Sequence, residues 1–489
     1  MKSKVDLNKV ESLKQKTFHG IIWSFLERFS VQGIQFIVMI IMARMLKPDD
    51  YGLIGMLTVF LAVSQSLVDS GFSQALIRKQ NRTEIDNSTV FYFNIGIGII
   101  LYGLLFVCAP LIADFYKEPS LVLIMRVVGI SVFINSFVVV QRALLTTRVD
   151  FKTQAKATLI AALLSGGGGI WMAAAGYGVW SIIVQQLLNL GVNALLLWFF
   201  SSWRPTWCYS WRAFRELFGF GSKLLVSGLL ETIYKNIYLI VIGRVFSASD
   251  LGYYTRAQQF SDFPSSNLTG IMQRVTFPVL CSIQDDDKRL ADVYRRFLRL
   301  SAFLIFPLMM GLAAVARPLI LILLKEQWLF TVILLQILCF SMMWYPVHAI
   351  NLNLLQVKGR ADLFLRLEII KKVIGISILC ITIPMGLVPM CVGGVFSSLM
   401  ALVINTYYTG RLIHVGFVRQ IRDLTPTLLL SISMGGVVYT FLHYLIGGAL
   451  VQLICGVCVG VVYYFALASC FQFREWKELM NLLHRKNNL

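Results

Sequence analysis

Ala43-Arg44-Met45-Leu46-Lys47-Pro48-Asp49-Asp50-Tyr51-Gly52-Leu53 recurs in outline 200 residues later, as Gly243-Arg244-Val245-Phe246-Ser247-Ala248-Ser249-Asp250-Leu251-Gly252-Tyr253. Arg44 matches Arg244, Asp50 matches Asp250, Gly52 matches Gly252 and, further on, Phe60 matches Phe260, all at one offset. Each copy leaves an apolar stretch through an Arg, turns at a polar stretch and enters the next apolar stretch at a Gly. Pro48, Ser249 and the Asp residues supply the turn and helix-start chemistry that such a corner needs. Upstream, Glu27 and Glu231 occupy similar depths once one helical turn is inserted. The reading is a six-span unit repeated once. Six is even, so both copies share an orientation and are related by an axis along the membrane normal.

Outward from that corner, apolar stretches continue in both directions. A bilayer core needs about 20 apolar residues per helical span, and about fourteen candidates start near residues 18, 52, 90, 119, 155, 178, 218, 252, 297, 329, 365, 389, 427 and 449. Basic residues crowd every second gap, as in Arg78, Lys79 and Arg82, or Lys288, Arg289, Arg295, Arg296 and Arg299. The count is roughly 33 Lys and Arg in those gaps and tails against 7 in the alternate gaps, the bias of cytoplasmic loops. The expectation is an all-α polytopic protein of the bacterial inner membrane with both termini in the cytoplasm. Residues 1–210 form an N-lobe of six spans and 211–415 a C-lobe of six. Residues 416–489 hold spans thirteen and fourteen, which have no partner in the repeat, and a cytoplasmic tail.

Composition excludes several classes. Hydrophobic residues make up 57% of the 489 and charged residues 14%, so the spans leave no room for a soluble catalytic domain. The net charge of +19 sits in cytoplasmic loops, where it orients the chain and meets anionic lipid, so no nucleic-acid partner is expected. The first apolar segment carries Glu27 and Arg28 and lacks a small-residue cleavage site, which marks a retained span. Cys455 and Cys458 form a CxxC inside an apolar segment with no second pair, and the five histidines show no metal spacing. Gly166-Gly167-Gly168-Gly169 lacks the Lys-Ser/Thr of a phosphate loop and reads as close helix packing or a kink. Asp285-Asp286-Asp287 beside Lys288 reads as a solvated charge run. No catalytic residue, metal or cofactor is expected. Trp203, Trp207 and Trp211 recur every four residues, which suggests indoles on one face of an interfacial helix or a plain aromatic belt.

Charges inside spans carry the functional signal, because an ion at mid-span costs about 2.5–3.5 kcal/mol and usually faces a cavity or a partner. The first span holds Glu27, Arg28, Gln32 and Gln35, and the second holds Gln65 and Asp69. Seventh-span Glu231, Tyr234, Lys235 and Tyr238 share one helical face, with Asn236 beside them. The eighth span holds Asp262, Asn267 and Arg274, and Arg126 lies in the fourth. Glu231 and Lys235 equally suit a mutually neutralising i,i+4 pair, and Asp69 and Arg274 equally suit snorkelling to the interface. Polar positions concentrate in spans one, two, seven and eight, corresponding spans of the two halves, which points to an aqueous cavity.

The stretches ARMLKPDDYGLIGM from Ala43, GFSQALIRKQNRTEIDNSTVFYFN from Gly71, QRALLTTRVDFKTQAKA from Gln141 and SASDLGYYTRAQQF from Ser247 resemble polysaccharide exporters of the multidrug/oligosaccharidyl-lipid/polysaccharide superfamily. FPVLCSIQDDDKRL from Phe277 and YRRFLRLSAFLIFPLMMGLA from Tyr294 extend the likeness, which runs over most of the first twelve spans and is strongest to Wzx-type flippases of the colanic-acid and teichuronic-acid kind. The resemblance implies a V-shaped pair of six-helix lobes plus two C-terminal helices. It also implies flipping of an undecaprenyl-diphosphate-linked oligosaccharide for lipopolysaccharide or exopolysaccharide biosynthesis, beside other assembly proteins. On that basis Arg28, Lys235 and Arg274 would receive the diphosphate, since basic donors pair with phosphate oxygens. Gln32, Gln35, Asn236 and Tyr238 would hydrogen-bond sugars, and Glu27, Glu231 or Asp69 would bind a coupling H⁺ or Na⁺. The alternatives are a multidrug cation antiporter of the same architecture and a membrane polymerase or glycosyltransferase. The longest alternate gap, around 316–328, is short and apolar for the acceptor chemistry of such enzymes.

Overall fold

The computed structural model describes residues 30–480 apart from positions 80, 149 and 479. Among them every regular element is helical. The order is α1 (Ser30–Ala43), α2 (Pro48–Asp69), α3 (Phe72–Arg78), α4 (Glu84–Tyr116), α5 (Leu121–Val128), α6 (Ile130–Ser136) and α7 (Val139–Thr147). Next come α8 (Phe151–Ala174), α9 (Val179–Phe200), α10 (Trp211–Lys235), α11 (Ile237–Val245), α12 (Ala248–Cys281), α13 (Asp287–Ala314) and α14 (Ala316–Leu324). The chain ends through α15 (Phe330–Met342), α16 (Tyr345–Val357), α17 (Ala361–Thr382), α18 (Leu387–Ile413), α19 (Phe417–Tyr444) and α20 (Ala449–Cys470).

Among the described residues ten helical stretches are long and apolar enough to cross a membrane, and the bent pair α10–α11, taken as one span, makes an eleventh. The protein is thus a polytopic all-α membrane protein. Three of the expected fourteen positions are helical but do not reach that standard. Described α1 is short, α12 carries Arg256, Asp262 and Arg274, and α17 carries Asp362, Arg366, Glu368, Lys371 and Lys372. Two of these three, α1 and α12, are spans whose polar residues attract attention in the sequence.

Contacts divide the chain into two compact units, one through Gly252 and one from Tyr253. In the first, α8 and α9 pair closely and the glycine run permits it. A Cβ on Gly168 would stand 2.8 Å from Cδ1 of Leu188, and one on Gly169 would stand 2.8 Å from Cβ of Gln185. Small residues of this kind let helices approach where lipid offers no hydrophobic drive for association. An aromatic core of Phe72, Phe91, Trp203 and their neighbours Phe93, Phe214 and Phe218 joins α3, α4 and α10. Residues 201–210 form no helix, so Trp203, Trp207 and Trp211 do not share a helical face. Pro205 lacks an N–H and fixes its own φ, and the Thr206 N–H donates to Ser88 Oγ at 3.0 Å rather than to a helical carbonyl. Trp203 is buried and donates to Glu84 Oε2 at 2.6 Å, whereas Trp207 is exposed and stacks on Tyr92.

The two copies of the repeated corner meet inside this first unit. Pro48 opens α2, where the Lys47 N–H donates to Asp50 Oδ2 at 2.9 Å. The Ser247 N–H makes the equivalent bond to Asp250 Oδ2 at 3.2 Å. Gly52 lies against the backbone of Ala248, and Gly252 lies against the backbone of Pro48. A Cβ would stand 1.8 Å from the Ala248 oxygen in the first case and 2.0 Å from the Pro48 oxygen in the second. Ser249 Oγ donates to Asp49 Oδ1, its own counterpart in the repeat. Such reciprocity, in which i meets j and the mate of i meets the mate of j, is the signature of a local two-fold relation.

In the second unit, α19 lies along α13, α20 packs on α19 and α14, and α17 pairs with α18. The two C-terminal helices are fastened to α13 by charge as well as packing. Arg295 grips Asp423 through two bonds of 2.6 and 2.7 Å, while Arg299 meets Glu475 at 2.9 Å and Arg296 meets Glu478 at 2.8 Å. Buried Gln420 ties α19 to its neighbours. Its amide donates to Asn351 Oδ1, Thr409 Oγ1 and the Tyr294 hydroxyl at 3.1, 3.2 and 3.3 Å, and its Oε1 accepts from Asn351 at 3.0 Å. Leaving such partners unsatisfied costs about 1–3 kcal/mol each. The Arg and Gln side chains of this region therefore build the fold.

Candidate functional site

Helix α10 is amphipathic at best, and it breaks at Asn236. There the chain bends by 42° before α11 continues. The Asn236 N–H still reaches the Thr232 and Ile233 carbonyls, and its side-chain Nδ2 donates to the Thr232 carbonyl at 2.8 Å. The side chain thereby adds a second bond to the Thr232 carbonyl at the break. Broken spans of this kind expose backbone groups that only a polar surrounding can satisfy.

Glu231 and Lys235 sit one turn before the break. Their side chains form an ion pair of 3.2 Å, with Lys235 71% and Glu231 45% exposed. The mutually neutralising i,i+4 pairing that the sequence allows is formed, and an ion pair open to hydrocarbon would keep the desolvation cost of both charges, several kcal/mol per ion. Helices α10 and α11 both pack against α2, with Gly228 of α10 over Ser66 of α2.

The other candidates fall into different surroundings. Asp69 accepts from the Ser73 N–H at 3.2 Å and from Ser73 Oγ at 2.5 Å. It caps α3 after the left-handed turn at Ser70 and Gly71, whose φ angles are 46° and 69°. Gln32 is partly buried with Oε1 unpartnered among the described residues, and Gln35 is exposed. Tyr238 is partly buried on α11. Arg274 is exposed on the part of α12 that belongs to the second unit. Glu27 and Arg28 lie outside the described residues.

Two groups lie beyond the sequence-derived set. Asp262, on α12, keeps Oδ1 buried without a hydrogen bond, an acid held inside a helix with no counter-ion shown. Its sequence signal was its place among the polar residues of the eighth span, but nothing in that pattern separates it from snorkelling neighbours. Lys79, between α3 and α4, bridges Asp86 at 3.1 Å and Glu216 of α10 at 3.0 Å. Burial works against its charge, but the hydrogen bonds to Glu216 and Asp86 outweigh it and raise its pKa above the ordinary lysine value. Arg78 adds a stack over Phe220 of α10 at 4.4 Å. Among the described residues no group of three or more His, Cys, Asp or Glu could hold a metal ion.

Residues 41–333 match the family model described as polysaccharide biosynthesis protein. The chain is 27% identical to the teichuronic acid biosynthesis protein TuaB of Bacillus subtilis over 357 residues, 72% of this chain and 73% of that one. It is 24% identical to the lipopolysaccharide biosynthesis protein WzxC of Escherichia coli over 401 residues, 81% of this chain and 80% of that one. Among solved structures, the lipid II flippase MurJ in an inward closed conformation superposes with a TM-score of 0.77. The match covers 94% of this chain and all of that one at 13% identity. An inward-facing multidrug resistance MATE family transporter of the MOP superfamily gives 0.62 at 15% identity, covering 80% of this chain and 98% of that one. At those identities the two structures establish the fold.

Proposed function

The chain belongs to the polysaccharide biosynthesis protein family, and on that premise we propose that it flips an undecaprenyl-diphosphate-linked oligosaccharide across the bacterial inner membrane. One observation supports the reading beyond membership: an exposed Glu231–Lys235 ion pair beside a 42° break in a span, a pair that in this proposal faces water. A diphosphate cannot enter hydrocarbon unaided, because an unpaired buried charge costs several kcal/mol or more. Lys235 exchanges its carboxylate partner for the diphosphate, and Glu231, released, takes up the coupling proton. Arg28 and Arg274 add positive charge, and Gln32, Gln35, Asn236 and Tyr238 supply hydrogen bonds for sugar hydroxyls. Glu27 and Asp69 stand as further coupling groups, H⁺ or Na⁺ being the ion.

In this proposal all fourteen helical positions cross the membrane, with both termini and the basic gaps in the cytoplasm. The repeat sets the working lobes at 1–210 and 211–415, with 416–489 appended, and transport proceeds by alternating access. A multidrug antiporter shares the fold, and a lipophilic-cation pump is the reading to be eliminated.

Depletion separates the possibilities. A flippase only relocates its substrate, so completed lipid-linked repeat units should accumulate on the cytoplasmic leaflet. A polymerase defect would leave single units outside, and a glycosyltransferase defect would leave truncated sugars. An unchanged lipid pool with new sensitivity to cationic dyes would replace this proposal with the extruder.

A further inference from the structure

We infer that His348, in the second unit, is a proton-binding site with two hydrogen-bonded states, and that its occupancy is coupled to transport. The ring lies between two side chains of α18, with Nε2 3.1 Å from Ser398 Oγ and Nδ1 3.2 Å from Asn405 Nδ2. An amide nitrogen only donates, so in this arrangement Nδ1 is an acceptor and the ring is neutral, with its proton on Nε2 facing Ser398. Asn405 is 1% exposed, and its Oδ1 is buried with no hydrogen-bond partner. That orphan oxygen is the second half of the site. A half-turn of the amide presents Oδ1 to Nδ1 and supplies the acceptor that an imidazolium N–H requires. The protein therefore holds a hydrogen-bonding answer to each protonation state in one side chain, and leaves an atom unsatisfied in the neutral one.

The charges around the ring come from α17. Lys371 lies near enough to act on it electrostatically, and Lys371 is itself bonded to Glu368 at 2.5 Å. A proton on His348 places a second cation near Lys371. From α18 the neutral Ser398 and Asn405 hydrogen-bond the ring. The ionisable Cys391, Tyr407, Tyr408 and Arg411 of α18 lie further along that helix. Helix α13 reaches the start of α16 through Phe306 against Trp344, and on α16 Tyr345 precedes the ring by three residues. Asn351 is engaged by Gln420 and Thr409. An ionisable group held inside a span is a functional candidate by default.

The coupling half of this inference rests on the flippase reading, so the test has a substrate-free arm. Imidazole ¹⁵N spectra of the full chain in detergent, with His348→Gln assigning the signal among five histidines, should show an Nε2–H neutral ring. On acidification that ring should become doubly protonated while the protein stays folded. A ring that remains neutral until unfolding overturns the site whatever the substrate. The second arm uses phosphatidylethanolamine/phosphatidylglycerol vesicles carrying undecaprenyl-diphosphate-linked disaccharide, with and without a pH gradient. Wild-type flipping should respond roughly fivefold or more, and His348→Gln, which mimics the neutral ring, should flip without responding. A full gradient response in His348→Gln, or none in an actively flipping wild type, overturns the coupling. No flipping under any condition removes the flippase reading, and with it the coupling, leaving the proton site to stand or fall on the spectra.

Discussion

Gly52→Val and Gly252→Val should each abolish export while the protein still accumulates in the membrane. The added Cβ would stand 1.8 Å from the Ala248 oxygen or 2.0 Å from the Pro48 oxygen, and both obstacles are backbone, which no rotamer change removes. Overpacking of this kind costs about 1–3 kcal/mol or more. Since about 1.4 kcal/mol is tenfold, the crossed arrangement of the two corners should fall roughly 5- to 150-fold or more in population. Reciprocity makes the prediction sharper: the two variants should fail alike, because each removes half of one contact. Gly96→Ala and Gly103→Ala, where an added Cβ meets nothing within 4 Å, should export normally. Normal export by either valine variant would show that the corner contact is dispensable.

Lys235→Ala should have an effect of similar size for a different reason. It removes the cation that meets the diphosphate in the proposed mechanism and takes the ion-pair partner 3.2 Å away from Glu231. Hydrogen bonds to charged groups contribute about 1.5–3 kcal/mol, so export should drop roughly 10- to 100-fold at unchanged protein level. Lys235→Arg should retain part of the activity, because charge survives but geometry does not. The double variant Lys235→Ala/Glu231→Gln separates the two causes. Recovery of export would mean that the lone carboxylate did the damage, and continued failure that the cation is needed for substrate. Full export by Lys235→Ala would remove the residue from the mechanism.

Long apolar runs made most spans legible, because backbone groups in lipid must be satisfied within one helix and that demand leaves a plain pattern. The same demand explains the shortfall at α12 and α17, where charges dilute the apolar run that marks a span. Residues 201–210 misled for a local reason: a four-residue Trp spacing is helical only if the backbone is, and Pro205 with the Thr206–Ser88 bond makes it otherwise. The Glu231–Lys235 pairing followed from i,i+4 spacing, but its exposure did not, since spacing names a partner and not a surrounding. The hydrogen bonds that Asp69 accepts from Ser73 were not legible, because they depend on the αL turn at Ser70 and Gly71. The match of Gly52 with Gly252 disclosed a repeat, whereas the contact of each with the other copy's corner exists only in three dimensions. Asp262 and the Asn405 Oδ1 atom stand out by what they lack, and a missing partner leaves no mark in a sequence.

The central claim is that this chain moves a lipid-linked oligosaccharide from one leaflet to the other. It is tested most directly by vesicles reconstituted with the purified protein and undecaprenyl-diphosphate-linked disaccharide carrying a fluorophore on the sugar. A membrane-impermeant quencher reads how much remains outside. Wild-type protein should carry the internal half of the probe outward, so that quenching approaches completion, while Gly52→Val vesicles and protein-free vesicles stay near half. Quenching that remains near half with wild-type protein, in vesicles where the same protein transports a lipophilic cation, would contradict the account.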